Sequence, residues 1–351
     1  MVNCIAWFRN DLRITDNAVI NYCLENKRKV LPVYIYDSSA SLGSASKWWL
    51  KNSLVSLDKS LKGNLMVFKG EPSKILLDLV IENNIKEILW NERYSKDDIN
   101  QDNEVINIVK NHKVRCITFH SCLLKNPHNT LKKDATPFKV YTPFYKQQYQ
   151  GMAYELFNYN TEEIDYINCD SKGQMTSVLD TAIKSEKWHQ KLLDNWAPGE
   201  AGAQDKLKIF LSNGLKGYSE GRNRPDKHHT SMLSPHIRFG EISIREIANS
   251  VEHKNTEDAE IFYKELVWRE FSYHLLYHFP HLVDKNLQQK FDNFKWLDNM
   301  NHLKSWQKGV TGYPIIDAGM RQLYETGYMH NRVRMIVGSF LVKNLMLHWS
   351  H

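Results

Sequence analysis

The chain has 351 residues, of which 42% are hydrophobic and 25% are charged, and its formal net charge is +6. These values are those of an ordinary globular protein of about two domains. The cysteines are odd in number and show no C-x-x-C spacing, which argues against a disulfide framework and against a zinc site; they are Cys4, Cys23, Cys116, Cys122 and Cys169.

The first residues show no signal-peptide pattern, and the apolar run 335–342 is far too short to span a membrane. We therefore expect a cytoplasmic protein that does not bind membranes. The mild positive charge is compatible with a nucleic-acid partner without requiring one. From Ala201 onward, 20 lysines and arginines stand against 16 aspartates and glutamates, so DNA would bind the second half of the chain.

The first 120 residues alternate short apolar runs with amphipathic stretches, which favours a parallel, doubly wound sheet. The predicted strands are Val2–Phe8, Val30–Tyr36, Leu65–Phe68, Glu87–Trp90 and Val114–Phe119. The predicted helices between them are Asn17–Asn26, Ser46–Leu61, Ser73–Asn83 and Asp97–Lys110. The turn after the first strand, Phe8 to Arg13, lacks the G-x-G-x-x-G pattern, so a dinucleotide-dependent oxidoreductase is disfavoured.

Residues 150–200 are polar and weakly periodic, which is typical of a connection that wraps the surface. From Pro198 onward the pattern is helical. The predicted helices there are Glu200–Leu211, one opened by a capping box at Ser243–Glu246, Asp258–His278, Ile315–Tyr324 and Asn331–Trp349. We therefore expect an α/β domain at 1–130, an interdomain connection at 131–198 and an all-helical domain at 199–351.

Three clusters of residues in the helical part could carry chemistry. The first is a Gly-rich turn, Gly217-Tyr-Ser-Glu-Gly-Arg222, followed by the hydroxyl-rich turn Thr230-Ser-Met-Leu-Ser234. Backbone N–H and hydroxyl groups of this kind suit phosphate, although an ordinary loop with a helix cap would look the same.

The second cluster places Glu265, Trp268 and Arg269 on one helix face, by i, i+3, i+4 spacing. An alternative interpretation is a Glu265–Arg269 surface pair beside a half-buried tryptophan. The third cluster, from Thr311 to Met335, is dense in His, Asn and Arg directly before an apolar helix. It could be a solvated helix start, but Arg334 enters an apolar run and should be paired with another group.

Together these segments resemble the photolyase/cryptochrome family. Trp7-Phe-Arg-Asn-Asp-Leu-Arg-Ile-Thr-Asp-Asn17 is similar to the opening strand and turn of that family. Thr230-Ser-Met-Leu-Ser-Pro-His-Ile-Arg-Phe-Gly240 is similar to its flavin-phosphate segment. The segments similar to its most specific motifs are Glu265 with Trp268-Arg-Glu-Phe271, Thr311-Gly-Tyr-Pro-Ile-Ile-Asp-Ala-Gly-Met-Arg321 and Met329-His-Asn-Arg-Val-Arg-Met335. The resemblance covers the whole chain. Within the family, the chain looks like the bacterial class I enzymes that repair cyclobutane pyrimidine dimers.

The resemblance implies light-driven electron transfer from reduced FAD to a flipped-out dimer, with a role for each matching residue. The residues implied in FAD binding are Tyr218, Thr230, Ser231, Met232, Leu233, Ser234, Arg269 and Arg334. Those implied at DNA and the lesion are Arg222, Trp268, Asn331, Arg332 and Met335, with Glu265 as the catalytic residue on the polar edge of the dimer. Trp296 and Trp349 resemble the outer and middle members of a tryptophan electron-transfer chain.

The resemblance leaves three properties open. The antenna pigment could be methenyltetrahydrofolate or deazaflavin, and Asp98 lies near an acidic pterin contact of the folate-type enzymes. The family continues for roughly a hundred residues beyond this end, a size typical of a further helical subdomain. We therefore expect an incomplete flavin pocket and weak FAD binding. The chain would be a monomeric repair enzyme, a cryptochrome-like blue-light photoreceptor, or an inactive fragment that binds DNA.

Overall fold

The N-terminal part of the chain is built around a parallel β-sheet. The computed structural model describes residues 2–37, 42–168, 189–252, 254 and 256–351. Five strands follow the order β3-β2-β1-β4-β5, and all neighbours are parallel. They are β1 (Asn3–Phe8), β2 (Lys29–Tyr36), β3 (Met66–Lys69), β4 (Glu87–Asn91) and β5 (Arg115–Phe119). A two-residue strand, β6 (Asp165–Tyr166), pairs with β2. The five predicted strands are confirmed.

Helices cover both faces of this sheet, as the alternating pattern predicted. They are α1 (Ala18–Glu25), α2 (Ser44–Ser60), α3 (Pro72–Glu82) and α4 (Lys96–Val109). Successive residues of β1 point to opposite faces: Ala6 packs in the core under α1 and α2, and Ile5 packs in the core under α3 and α4. The doubly wound α/β prediction is therefore confirmed.

The second part of the chain is helical, also as predicted. Two helices lie in the stretch 131–198, namely α5 (Tyr141–Gln148) and α6 (Gln190–Leu193). The helices that follow are α7 (Glu200–Ile209), α8 (Tyr218–Gly221), α9 (Ser234–Phe239), α10 (Ile244–Glu252), α11 (Glu257–His278), α12 (Met300–Lys308), α13 (Pro314–Thr326) and α14 (Asn331–Ser339). Short 3₁₀ turns lie at Lys110–His112, Pro127–Asn129, Thr161–Glu163, Pro280–Val283 and Gln289–Phe291. No helix among the described residues is long and apolar enough to cross a membrane.

Helix α11 forms the centre of the helical core. Its buried residues Phe262 and Val267 pack with Phe144 of α5 and with Phe210 of the π-helical turn Phe210–Gly214, which follows α7. Helix α5 lies in the stretch 131–198, so part of that stretch packs in the helical core. The polar segment beginning at Asp170 and the thiol of Cys169 lie outside the described residues.

Two local predictions in this part are wrong. The last helix was expected to run to Trp349, but α14 ends at Ser339 and a π-helical turn, Phe340–Asn344, follows. Met346 then adopts a φ of 53°, which an α-helix cannot accommodate, and the chain turns back to bury Leu347.

The capping box before α10 is only half formed. The hydroxyl of Ser243 accepts a hydrogen bond from the backbone N–H of Arg245 at 3.2 Å. The carboxylate of Glu246, however, accepts from the amide of Gln204 at 2.8 Å. The side chain therefore bridges two helices instead of closing its own cap.

The turn after β1 joins the two parts of the molecule. The guanidinium of Arg13, which is 2% exposed, donates to the carbonyl oxygens of Gly240 (3.1 Å) and Asp16 (3.0 Å). The carboxylate of Asp16 forms an ion pair with Arg245 of α10 at 2.7 Å. The motif that resembles the opening segment of the family thus positions the helical part against the sheet.

Candidate functional site

Four of the residues predicted to contact DNA or the lesion meet in one cavity of about 300 Å³, here called the Trp268 cavity. Trp268 and Glu265 lie on α11, Arg222 follows α8 and Arg332 lies in the first turn of α14. These elements are far apart in the chain, and tertiary packing brings the four side chains together. The cavity is lined by Tyr141, Ser219, Arg222, Asn223, Ile261, Lys264, Glu265, Trp268 and Arg332.

Glu265 is paired with Arg222 in this cavity. The guanidinium of Arg222 lies 2.7 Å from the carboxylate of Glu265, and the two side chains are 17% and 31% exposed. The alternative of a Glu265–Arg269 surface pair is therefore wrong. The Arg222–Glu265 pair puts a positive and a negative group, both solvent-accessible, at the mouth of the cavity.

The aromatic wall of the cavity is Trp268, which is 45% exposed. An exposed indole of this size is unusual on a protein surface, and an aromatic face is what an unstacked nucleobase binds. Helix α11 presents Trp268 and Glu265 on the same side because they are three residues apart.

Arg332 is held at the opposite edge of the cavity. Its Nε and Nη2 donate to the side-chain oxygen of Asn223 at 2.8 and 2.6 Å, and its Nη1 lies 3.4 Å from the sulfur of Met335. Asn331 and Met335 are exposed residues of the same helix start and do not line this cavity. Their predicted roles at the lesion stay predictions.

The predicted flavin-phosphate segment lines a second cavity of about 420 Å³, here called the Thr230 cavity. The hydroxyl of Thr230 lies 2.9 Å from that of Tyr328, and Ser231 and Met232 follow along the wall. Met232 has a φ of 56°, a left-handed conformation that is costly for a side chain of this size. Leu233 is fully buried and anchors the turn in the helical core.

The groups around the Thr230 cavity suit a ligand with phosphate and polyol groups. The Nε2 atom of His330 is buried and has no hydrogen-bond partner among the described residues. Burial, and after it the charge of Arg332, lowers the pKa of His330, so its ring is neutral near pH 7. Lys227, Thr230, Ser231 and His330 together offer an ammonium, two hydroxyls and an imidazole. These residues fit the phosphates and ribityl chain of FAD.

The Gly-rich turn does not present its backbone to a phosphate. The N–H groups of Gly217 and Ser219 donate to the carboxylate of Asp258 at 2.8 and 2.7 Å. The hydrogen bond from Ser219 is also the main reason that the pKa of Asp258 is lowered. Tyr218 is buried against Phe210 and Phe262. The expectation that this turn binds phosphate through its backbone is wrong, because a carboxylate of α11 already occupies the donors.

Ser234 and Arg334 line a third cavity of about 270 Å³ between the two parts of the chain. Its walls include the aromatic rings of Trp49, Trp196 and Tyr328. Arg334 was expected to be paired with another group because it enters an apolar run, but the structure places it as an exposed residue. Its predicted contact with FAD stays a prediction.

Arg269 was expected near the flavin but does not line any of these three cavities. Its Nη1 donates to the carbonyl oxygen of Cys122 at 3.1 Å and to the carboxylate of Glu270 at 3.3 Å. The guanidinium also lies over the ring of Tyr273. Its predicted contact with FAD stays a prediction.

The two predicted electron-transfer tryptophans both contact one histidine, His348. The ring centroids of Trp296 and His348 are 5.2 Å apart, and those of His348 and Trp349 are 5.1 Å apart. Trp349 is 39% exposed. The two indoles are thus close neighbours in space, as a chain of electron carriers requires, although the roles themselves stay predictions.

Asp98 lies in a cleft of about 560 Å³ at the carboxyl ends of β1, β2 and β4. Ligands of open parallel sheets bind at this edge. Asp98 forms an ion pair with Arg93 at 2.8 Å, and Arg9 and Arg238 also line the cleft. This cleft could hold an antenna pigment, and the identity of that pigment stays open.

Sequence patterns missed several residues of the site. Four further residues contact the predicted ones directly, namely Tyr141, Asn223, Tyr328 and His330. Of these, only His330 lies in a motif that the sequence analysis quoted. Tyr141 precedes a Thr-Pro pair, a common helix start, and no local pattern linked it to Trp268.

The chain is similar to known proteins over nearly its whole length. Residues 4–160 match the family described as DNA photolyase, and residues 262–351 match the FAD binding domain of DNA photolyase. The chain is 40% identical to the deoxyribodipyrimidine photo-lyase of Agrobacterium fabrum over 353 residues, which cover 98% of this chain and 74% of that protein. It is 30% identical to cryptochrome-1 of Arabidopsis thaliana, covering 98% of this chain and 53% of that protein.

A similar solved structure is that of a bacterial class III photolyase from Agrobacterium tumefaciens. It is 39% identical and superposes with a TM-score of 0.93, covering 100% of this chain and 74% of that one. The motifs led us to expect a class I enzyme, whereas this similar structure is a class III photolyase. The class of the present chain therefore stays a prediction. With these matches, the chain belongs to the photolyase/cryptochrome family of FAD-binding proteins.

Proposed function

We propose that this protein is a DNA photolyase that repairs cyclobutane pyrimidine dimers. The observation that carries the proposal is the Trp268 cavity, in which three separate elements bring together an exposed indole, a carboxylate and two arginines. A dimer inside a duplex is inaccessible, so an enzyme that acts on it must flip it into a pocket with a stacking face and polar groups. The Trp268 cavity supplies both.

Each residue of the cavity has a definite part in this function. Arg222 and Arg332 bind backbone phosphates next to the lesion, which gives affinity that does not depend on sequence but falls with salt. Trp268 stacks on the flipped bases, and Glu265 faces their polar edge. Since Arg222 is paired with Glu265 at 2.7 Å, a phosphate that draws Arg222 away frees the carboxylate for the lesion.

The cofactor chemistry enters through the Thr230 cavity. FAD, when bound, supplies the light-driven electron chemistry of this family. Lys227, Thr230, Ser231 and His330 hold its phosphates and ribityl chain. The charge of the bound phosphates is balanced by Lys227, while the buried His330 Nε2 gains the partner that it lacks.

The proposal is tested by light-dependent loss of dimers. A duplex with one cyclobutane dimer is incubated with the protein, FAD and reductant, and the dimer is quantified by chromatography before and after blue light. We expect loss only in the light. Trp268→Ala should weaken dimer binding by about 1–3 kcal/mol, whereas Tyr324→Ala, at an 85% exposed tyrosine outside the cavity, should not. Equal affinity of the unaltered chain for damaged and undamaged DNA would contradict the proposal.

A cryptochrome-like photoreceptor is the second candidate, because the chain also resembles a plant cryptochrome. That function predicts a flavin absorption band that changes in blue light, without loss of dimers. An inactive DNA-binding fragment, the third possibility, predicts DNA binding without a flavin band. An absorption spectrum of the purified chain before and after addition of FAD distinguishes the photoreceptor from the inactive fragment.

A further inference from the structure

One face of Trp268 is covered by a tyrosine from another element. The ring centroids of Tyr141 and Trp268 are 3.6 Å apart and their planes differ by 5°. Tyr141 is the first residue of α5 and Trp268 lies in the middle of α11. Such a close parallel stack joins two helices that are distant in sequence.

Tyr141 is itself held in place by α11. Its hydroxyl donates to the carbonyl oxygen of Lys264 at 2.8 Å, one turn before Trp268. Its ring also meets the edge of Phe271 at 5.9 Å. Burial raises the pKa of Tyr141, so the phenol remains protonated and keeps donating this bond. The tyrosine therefore has one position relative to the helix that carries Trp268.

The rest of the indole remains open to the cavity. Trp268 is 45% exposed although one face is covered, so its exposed area comes from the opposite face and the ring edges. Arg222, Glu265 and Arg332 line the same cavity. A base that stacks on the open face would extend the Tyr141–Trp268 stack by one more ring.

We propose that Tyr141 is a positioning residue for lesion recognition, which fixes the plane of Trp268 so that a flipped base meets a rigid aromatic surface. This rests on the proposed function of the Trp268 cavity. An unsupported indole would have to lose its rotational freedom when the base binds, and this loss weakens binding. A side chain already fixed by packing avoids that cost. Undamaged DNA, which binds through Arg222 and Arg332, does not need a fixed indole.

The test compares affinities for two duplexes of the same sequence, with and without a cyclobutane dimer, by fluorescence anisotropy at constant salt. Tyr141→Ala should lower the preference for the damaged duplex by about three- to tenfold. Its affinity for the undamaged duplex should not change. Tyr141→Phe keeps the ring and should retain most of the preference. Tyr324→Ala is the matched control for loss of an unrelated tyrosine.

A double-mutant cycle separates positioning from simple structural loss. In a Trp268→Ala background, Tyr141→Ala should cause no further loss of preference, because the ring that it supports is absent. Equal loss of affinity for both duplexes, or additive effects of the two substitutions, would overturn the inference. If Trp268→Ala itself leaves the preference unchanged, the proposed function fails first and the inference falls with it. Far-ultraviolet circular dichroism and urea denaturation of Tyr141→Ala show whether any loss comes from misfolding.

Discussion

At the scale of single residues, the buried carboxylate of Glu270 shows how a polar group can join two parts of the chain. It is 2% exposed, and it accepts hydrogen bonds from the backbone N–H groups of Leu124 (2.8 Å) and Lys125 (3.3 Å). Burial is the largest effect on this group and raises the pKa of Glu270 to about 7, although Arg269 and the two N–H donors act in the opposite direction.

Glu270 should make the stability of the protein depend on pH. Because its pKa is higher in the folded state than in the unfolded chain, the folded state binds more protons between about pH 4.5 and 7. The group therefore stabilises the fold most at low pH, and this contribution decreases as pH rises through 7. The total change is up to about 3 kcal/mol.

Glu270→Gln keeps an acceptor for both N–H groups but cannot titrate. We expect its free energy of unfolding, measured by urea denaturation at several pH values, to lack the decline between about pH 4.5 and 7 that the unaltered chain shows. Glu325→Gln, at a side chain that is 59% exposed, is the control and should leave the decline in place. Identical curves for the unaltered chain and Glu270→Gln would show that folding does not change the pKa of Glu270.

At the scale of elements, α9 and the turn after β1 approach so closely that only glycine fits between them. Gly240 ends α9 with a φ of +68°, and a Cβ added there would lie 2.0 Å from the carbonyl oxygen of Asn10. The backbone N–H of Leu12 donates to the carbonyl oxygen of Phe239 at 3.1 Å across the same contact. The helix that begins at Ser234 is thereby fixed against the sheet.

Gly240→Ala should lower the free energy of unfolding by roughly 2–4 kcal/mol, from backbone strain and steric overlap. Gly338→Ala is a matched control, since Gly338 lies in α14 and nothing lies within 4 Å of the added Cβ. That control should stabilise the protein slightly, because alanine favours the helix. Both values come from chemical denaturation followed by circular dichroism, and a small effect of Gly240→Ala would mean that the contact relaxes.

At the scale of the whole molecule, an ion pair and several hydrogen bonds from the turn after β1 couple the two parts. The carboxylate of Asp16 accepts from Arg245, from the hydroxyl of Ser243 and from the backbone N–H of Phe157. Glu200, at the start of α7, accepts from the backbone N–H groups of Ile14 (3.1 Å) and Thr15 (2.9 Å). The N-terminal turn is therefore bonded to three separate segments outside the sheet.

Asp16→Ala should cost about 3–5 kcal/mol, because it leaves the guanidinium of Arg245 unpaired in a largely buried site. It should also separate the unfolding of the two parts, seen as two transitions in place of one in urea denaturation. Asp226→Ala removes an exposed pair with Arg224 and should change neither quantity. One transition of unchanged midpoint for Asp16→Ala would show that the coupling lies elsewhere.

The sequence by itself determined the features that depend on neighbours along the chain. Short runs rich in Val, Ile and aromatic residues, separated by amphipathic stretches, were enough to predict the five strands of the sheet. Three-residue spacing was enough to put Glu265 and Trp268 on one face of α11. The resemblance of whole motifs to one family was enough to name its cofactor and to select Arg222 and Arg332.

Only the tertiary structure decided which groups meet across the chain. Glu265 could pair with Arg269 by spacing alone, but folding brings Arg222 closer. The N–H groups of Gly217 and Ser219 looked free for a phosphate, but Asp258 occupies them. Trp268 gains its support from Tyr141 of a different helix. Local pattern carries no information on such pairs, because hydrogen bonds, ion pairs and stacked rings depend on distances that arise only when the helices pack.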